Sequence, residues 1–200
     1  VLMSNFNTEK LRSLIAESNG LASPNRFLVE LPPISGMVSP NAFSAVPQGP
    51  TGNQDIPILC TSAQIPGKQL NVMSREVGIQ TKSVANGQVF TAVNLSFYLT
   101  NKYEIRNYFQ YWMDCVVSQK DNDRMYAGYY NNYVRPVTIH QLARGKDTMA
   151  DSIYSVELLE AFPTQMELIQ LNNQAQTTAM EMTIALAYKT YKVLDKKKQT

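Results

Sequence analysis

The alternation of apolar and polar positions predicts a chain built mainly of β-strands. Residues 25–31 (NRFLVEL) alternate as a strand does, with every second side chain apolar. The pattern is then lost over residues 32–57, which hold six prolines and three glycines in 26 residues, and it resumes at 58–64. Prolines and glycines at this density interrupt regular structure, so we interpret 32–57 as a long loop inserted between two strands.

Two further strand-like segments, 76–84 and 88–99, flank the dipeptide Asn86-Gly87, whereas 68–75 shows no clear pattern. Asn-Gly favours the tight turn that joins two antiparallel strands, so the sequence predicts a β-hairpin with its turn at this dipeptide. One face of the second segment is apolar: Val89, Thr91, Val93, Leu95, Phe97 and Leu99. The opposite face holds small and polar residues: Ala92, Asn94 and Ser96.

One long amphipathic helix is predicted to begin at Asn101 and to end near Val117. Asn101 is expected to cap the helix, and Glu104 three residues later would complete a capping box. Apolar side chains then recur at helical spacing: Ile105, Phe109, Trp112, Met113 and Val116. A shorter helix is predicted over 7–19, ending at Gly20.

The C-terminal half returns to strand patterns. Residues 118–132 are polar and rich in tyrosine, and we interpret them as a loop. Strands are predicted at 133–143 and 152–162, and a long one at 177–191. In that last strand one face is apolar and the other is small or polar: Met180, Met182, Ile184, Leu186 and Tyr188 against Ala179, Glu181, Thr183, Ala185 and Ala187. The pattern indicates a mainly β class with one packed helix, in a single domain spanning 1–200.

Charge is sparse and unevenly distributed along the chain. Charged residues make up 17% of the sequence, against about a quarter in a typical soluble domain. The segment 192–200 holds four lysines and one aspartate, so the other 191 residues carry 14 basic and 15 acidic side chains. A nearly neutral, amide-rich body suits extensive contact with protein. The basic tail suits a nucleic acid or an acidic partner, or a solvated terminus, which we favour.

No residue pattern in the chain points to catalysis or metal binding. His140 is the sole histidine and has no second ligand nearby in sequence, so we interpret it as a strand histidine hydrogen-bonded in place. Cys60 and Cys115 lie in apolar segments and are interpreted as reduced core residues. Glu157 and Glu160 are three apart on a strand and should face opposite ways, which argues against shared acid–base chemistry. We therefore predict no catalytic, cofactor or metal-binding residues, and no enzyme activity.

Two features bear on nucleic-acid binding. Gly78, Gly87 and Gly128 are isolated in sequence, as turn or bulge glycines are, so they form no phosphate-binding loop. Tyrosines and arginines cluster in one segment: Tyr126, Tyr129, Tyr130, Tyr133, Arg124 and Arg135. Such a set suits base stacking or the sealing of a protein interface, and we favour the interface.

Four segments, taken in order along the chain, carry a resemblance to a known family. They are LRSLIAESNGLASPNRFLVEL, ILCTSAQIPG, FTAVNLSFYLTNKYEIRNYFQYWMD and VELLEAFPTQMELIQLNNQAQTTAMEMTIALAYKTY. The first is carried by Pro24, Asn25, Phe27 and Val29. The last is carried by Phe162, Pro163, Thr164, Leu171, Thr183, Leu186 and Tyr188. Together they resemble the tail tube protein of contractile-tailed bacteriophages.

The resemblance implies a β-sandwich-like fold whose subunits form hexameric rings, stacked into a tube lined by a shared β-barrel. It implies a structural virion protein of the phage tail, made in the cytoplasm of the host bacterium. The implied partners are further copies of the chain, the tail sheath, the baseplate and the tail terminator, and DNA would pass through the lumen without specific binding. No segment is long and apolar enough for a membrane-spanning helix, and no signal peptide is recognised.

Other interpretations remain open at this stage. Within the same fold, the chain could be a baseplate tube initiator or adaptor, or the tube of a phage-derived secretion system. Outside it, the alternatives are a monomeric ligand-binding β-barrel and a nucleic-acid-binding module. The loop 32–57 and the tail 192–200 depart from the family pattern, and we expect them at contacts with subunits, rings or a sheath.

Overall fold

In the computed structural model of the protein, the central strands of the largest sheet alternate between buried and more exposed side chains. The structure describes residues 8–17, 20–33, 37, 56–78, 80–120, 124–145, 152–169, 171 and 179–194. Most of the predicted loop 32–57 and the end of the basic tail lie outside these residues. The mainly β class is confirmed.

Eleven strands and three helices lie within the described residues. The strands are β1 (Phe27–Glu30), β2 (Cys60–Ala63), β3 (Gln69–Val77), β4 (Gln80–Val89), β5 (Val93–Tyr98), β6 (Val117–Lys120), β7 (Arg124–Ala127), β8 (Arg135–Leu142), β9 (Ser152–Met166), β10 (Glu181–Ala187) and β11 (Thr190–Val193). The helices are α1 (Thr8–Glu17), α2 (Glu104–Val116) and α3 (Tyr130–Tyr133), and a single 3-10 turn covers Ile56–Leu59.

Seven strands form one antiparallel sheet in the order β1-β8-β9-β10-β5-β2, with β11 also pairing with β9. The long strand β9 joins the two halves of this sheet. Its first part, to Ala161, pairs with β8, and Phe162–Met166 pairs with β10. The terminal strands β1 and β2 contact each other, so the sheet is rolled around the core.

The core lies between this rolled sheet and α2. Apolar side chains of five strands point inward and are buried: Val29, Val93, Leu95, Phe97, Val137, Ile139, Val156, Leu158, Met182, Ile184 and Leu186. Phe109 of α2 packs on Phe97 with ring centroids 5.4 Å apart, and Tyr108 donates a hydrogen bond to the Pro32 carbonyl at 2.6 Å. The predicted apolar faces are therefore confirmed along β5 and β10, whereas Val89 and Thr91 of the same prediction lie outside β5 and are exposed.

The predicted turn at Asn86-Gly87 is wrong, because the structure places this dipeptide inside β4. The hairpin β3–β4 turns instead at Gly78, whose positive φ of 66° suits glycine. The dipeptide occupies a register shift opposite Asn71, and a β-bulge can accommodate it there. The same prediction made residues 88–99 one strand. The structure divides them between the end of β4 and β5, and β5 lies between β2 and β10 in the sheet.

Asn101 is also wrong as the helix cap. A turn closed by the Tyr103 amide and the Thr100 carbonyl at 2.9 Å precedes the helix, so α2 begins at Glu104 with Tyr103 as its N-cap. Met113 and Val116 of the predicted apolar stripe are only half-buried. The buried face is wider than predicted and includes three other side chains: Tyr108, Tyr111 and Cys115.

Two further segments differ from the sequence prediction. The segment 118–132, predicted as a loop, contributes the paired strands β6 and β7 and the short helix α3. The strand predicted over 177–191 is divided into β10 and β11 at Tyr188 and Lys189. The strands β6 and β7 are polar and pair with each other. They therefore show no apolar alternation from which a strand could be predicted. Lys189, at this division, forms an ion pair with Glu160 of β9 at 2.7 Å.

Candidate assembly surfaces

His140 is buried on β8 and hydrogen-bonded to a serine of the neighbouring strand β9. Its Nδ1 lies 2.8 Å from Ser155 Oγ, and Ser155 donates onward to Ser152 Oγ at 3.0 Å. Its Nε2 lies 3.6 Å from the nearer Glu30 carboxylate oxygen, beyond hydrogen-bond length. The sole histidine is therefore hydrogen-bonded through Nδ1 to β9, as its interpretation as a bonded strand histidine requires, while its Nε2 has no hydrogen-bond partner among the described residues.

Replacing His140 with glutamine tests whether this group has a structural role alone. His140→Gln keeps a polar side chain beside Ser155, so we expect a loss of only about 1 kcal/mol in the free energy of unfolding. Assembly should be unchanged. Urea denaturation and electron microscopy would measure both, with Ser155→Ala as the matched control for the same hydrogen bond. Loss of a hydrolytic or metal-dependent activity in His140→Gln would contradict a purely structural role.

Both cysteines are free thiols, but only Cys115 is the core residue that the sequence predicted. Burial raises the pKa of Cys60 to about 12 and, as the largest cause, that of Cys115 to about 11. Cys115 is completely buried in α2, whereas Cys60 is partly exposed at the sheet edge. Thiols with pKa values this high are protonated near neutral pH. Because only the thiolate acts as a nucleophile or a metal ligand, we expect both side chains to be unreactive.

Glu160, one of the two glutamates considered for acid–base chemistry, is bonded to Lys189 and Tyr130. Glu160 lies in a bulge of β9 with a left-handed φ of 54°. Its carboxylate accepts hydrogen bonds from Lys189 Nζ at 2.7 Å and from Tyr130 Oη at 2.9 Å. The bond from Lys189, followed by that from Tyr130, holds the pKa of the Glu160 carboxyl below its usual value. The ion pair joins the bulge of β9 to the break between β10 and β11.

Within the described residues, no group of three histidine, cysteine or acidic side chains is arranged to hold a metal ion. In that same part of the chain, no helix combines the length and apolar character that a membrane span needs.

The tyrosine cluster is divided between the core and the surface. Tyr133 packs against Phe162 with ring centroids 5.4 Å apart, and its carbonyl accepts the Trp112 indole hydrogen bond at 2.7 Å. Tyr129 is 82% exposed, and Tyr126 and Tyr130 are also exposed. The exposed rings lie beside the β6–β7 ribbon, and their use at a protein interface stays a prediction.

The outward face of strands β5, β9 and β10 is polar. A shallow groove of about 240 Å³ runs across it, lined by Asn94, Gln165, Glu167, Thr183 and Ala185. Ser96 and Thr183 are linked across β5 and β10 by a hydroxyl–hydroxyl contact of 3.2 Å. The predicted small and polar second face of these strands is therefore present in the structure.

The β3–β4 hairpin projects from the sheet and was missed as a unit by sequence reasoning. All of β4 is exposed, as are residues 69–76 of β3, and the two strands pair only with each other. Apolar side chains lie on it uncovered: Leu70 (54% exposed), Val72 (63%), Met73 (50%), Val84 and Val89. Spacing of Leu70 and Val72 by two residues is the signal that could have revealed β3.

The base of the hairpin is anchored to the body by one aromatic residue. Phe90, directly after β4, has its ring centroid 5.7 Å from that of Tyr188 and 5.7 Å from that of Tyr191. The hairpin therefore leaves the sheet at the end where β5 begins and β10 ends. A two-stranded hairpin is marginal in water on its own, and within the described residues no further strand pairs with this one.

A model of the phage tail tube protein family matches residues 22–194. The chain belongs to the phage tail tube protein family. This membership confirms the resemblance seen in the sequence, and it favours a structural tail tube subunit over the monomeric ligand-binding barrel. It identifies the protein as a component of a virion.

Solved structures of contractile injection systems share the tail tube fold. A chain of the anti-feeding prophage baseplate matches with a TM-score of 0.55 and 15% identity, covering 87% of this chain and 95% of that chain. The tube-terminating cap of the same prophage gives 0.57 and 13%, covering 87% and 91%. The sheath–tube complex of an extracellular contractile injection system gives 0.53 and 13%, covering 91% and 96%. No curated protein sequence matches the chain.

Proposed function

We propose that copies of this tail tube protein associate side by side into hexameric rings, and that the rings stack into a hollow tube through which the phage genome passes. The observation that carries the proposal is a pair of open edges on the four strands β2-β5-β10-β9. The hexameric number comes from the family resemblance.

The two open edges belong to β2 and to the end of β9. Strand β2 is terminal in the sheet and pairs only with β5, because its contact with β1 involves no strand pairing. In the described residues, Phe162–Met166 of β9 pairs with β10 on one side and with no strand on the other. Exposed edges of this kind are templates for pairing with another chain.

Strand direction supports joining these edges head to tail. The pairings β2–β5, β5–β10 and β10–β9 are all antiparallel, so β2 and β9 run in opposite directions. A copy rotated about a ring axis keeps its strand directions and would therefore offer β2 antiparallel to β9 of its neighbour. Heterologous contacts of this type close into rings when the rotation is suitable.

The polar face would then line the lumen. Its groove residues Asn94, Gln165, Glu167, Thr183 and Ala185 carry no positive charge. Because tight phosphate binding depends on lysine and arginine, such a wall would let DNA pass without holding it. The opposite face is buried in the core of each subunit, which leaves the polar face for an aqueous channel.

The same proposal includes contacts with other proteins of the tail and the remaining predictions made from the sequence. The similar structures come from a baseplate, a tube-terminating cap and a sheath–tube complex, which supports contact with baseplate, terminator and sheath. We place the loop 32–57 and the tail 192–200 at such contacts. The chain would act as one domain, without catalysis, after synthesis in the host cytoplasm.

Electron microscopy of the purified protein tests the proposal directly. At high concentration we expect rings with an open lumen that extend into uniform tubes. A species that stays monomeric by light scattering across a wide range of concentration and salt would contradict it.

A tube initiator or adaptor is the second candidate, favoured by the likeness to a baseplate chain. An initiator should form single rings and extend only when another tube protein is added. Self-propagating tubes longer than a few rings would therefore favour the main tube subunit.

A further inference from the structure

The outer part of the β3–β4 hairpin carries two cations directly opposite each other. Arg75 of β3 pairs in register with Lys82 of β4, so the two side chains share one face. Both are exposed, and within the described residues neither lies within ion-pair distance of a carboxylate. Like charges at a directly opposed cross-strand pair are unfavourable, and an anion from outside the hairpin would remove that repulsion.

The two faces of the hairpin differ in this respect. Met73 and Val84 form the next pair on the cationic face, two residues closer to the base. On the other face Glu76 pairs with Thr81, so this pair carries no positive charge. One face of the hairpin therefore carries an apolar pair next to a pair of positive charges. A partner surface with carboxylates beside apolar side chains would complement it.

A complementary surface lies at the opposite end of the sheet from the hairpin. Glu167 follows β9, and its backbone amide donates to the Thr183 carbonyl at 2.9 Å. Glu181 begins β10 two residues before Thr183, and it pairs in register with Tyr98 at the end of β5. Both glutamates are exposed, and in the described part of the chain neither has a cation within ion-pair distance.

Strand direction fixes this arrangement of charges. The hairpin leaves where β5 begins at Val93, and the glutamates lie near Tyr98, where β5 ends. Its nine-residue arm β3 reaches about 30 Å at roughly 3.3 Å per residue. Two copies stacked in the same orientation would therefore bring the cationic end of one towards the acidic end of the other.

We propose that the Arg75–Lys82 pair of one subunit binds Glu167 and Glu181 of a second copy in the next ring. The contact rests on the proposed ring and tube, and adds which residues join one ring to the next. It also gives the tube a polarity, because the same ends of two subunits would bring like charges together. Rings meeting hairpin to hairpin, or glutamate to glutamate, are thereby disfavoured.

Charge reversal on each side, followed by reversal of both, tests the pairing. Arg75→Glu with Lys82→Glu should leave single rings intact but raise the concentration needed for tubes by on the order of tenfold or more. Glu167→Lys with Glu181→Lys should do the same. The chain that carries all four changes should regain the wild-type concentration, because the attraction is restored with its sign inverted.

Ring formation and tube length are measured separately, by light scattering for rings and by pelleting with negative-stain microscopy for tubes. Arg144→Glu, on an exposed turn of the other half of the sheet, is the control for a change of charge alone and should behave as wild type. Raised salt should weaken wild-type stacking, because it screens exposed charges.

Tubes formed by either double variant at the wild-type concentration would overturn the pairing and leave the proposed ring intact. Failure of the fourfold variant to recover would show that the cations meet a different surface, which also overturns it. If the wild-type protein forms no rings at all, the proposed function fails, and the pairing fails with it.

Discussion

Replacing Trp112 with alanine is expected to yield a subunit that is largely unfolded or insoluble. The side chain is completely buried in α2, stacked on Phe109 and edge-on to Tyr108. Removing a buried tryptophan costs about 3–5 kcal/mol. The lost indole hydrogen bond to the Tyr133 carbonyl adds on the order of 1 kcal/mol. A domain has only about 5–15 kcal/mol in total, so a loss of this size leaves little margin against unfolding and aggregation.

Soluble yield and urea denaturation followed by circular dichroism would measure this effect. Gln110→Ala is the matched control, since Gln110 is exposed on the same helix and should change stability by less than about 0.5 kcal/mol. A soluble Trp112→Ala subunit with an unchanged urea midpoint would mean that α2 is peripheral to the core.

Removing the β3–β4 hairpin is expected to abolish tubes while leaving the subunit folded. Residues 69–89 would be replaced by a short Asn-Gly turn, which the geometry permits because Gln64 and Asn94 are already hydrogen-bonded across β2 and β5 at 3.2 Å. The hairpin strands pair only with each other, so their loss removes little from the core. The thermal midpoint should shift by less than about 2–4 °C, the change that 1 kcal/mol produces in a domain of this size.

The expected loss of tubes follows from the apolar side chains that the hairpin exposes. Its uncovered apolar side chains would be buried against another subunit only in the assembled tube. Electron microscopy of the shortened protein should show rings or monomers and no tubes. Tubes of normal length from this variant would mean that the hairpin takes no part in stacking, and unfolding would mean that it belongs to the core.

Strands with a strict apolar alternation were predictable because one face of each is buried. The inward side chains of β5 and β10 follow the predicted pattern, and β8 and β9 lie where strands were predicted. The stripe of α2 was partly predictable for the same reason. Its tyrosines were missed because Tyr108 and Tyr111 are buried by hydrogen bonds to the Pro32 and Met37 carbonyls, which no local pattern indicates.

Elements stabilised outside the core were not predictable from alternation. The β3–β4 hairpin has no buried face, so its strands show only a weak period, and Asn86-Gly87 gave a false turn within it. The ribbon β6–β7 is similar, since its polar segment pairs with itself. In each case the position of the turn depends on which residues pair, and several registers are compatible with the same composition.

The sequence by itself determined the mainly β class, the buried faces of the principal strands, the one packed helix and the family. These follow from side-chain burial and from motifs, both of which are local properties of the chain. Only the tertiary structure decided that β9 spans both halves of the sheet, that β2 and the end of β9 are open edges, and that Arg75 and Lys82 lie opposite each other. Such features depend on strand order and register, which are set by contacts between residues far apart in sequence.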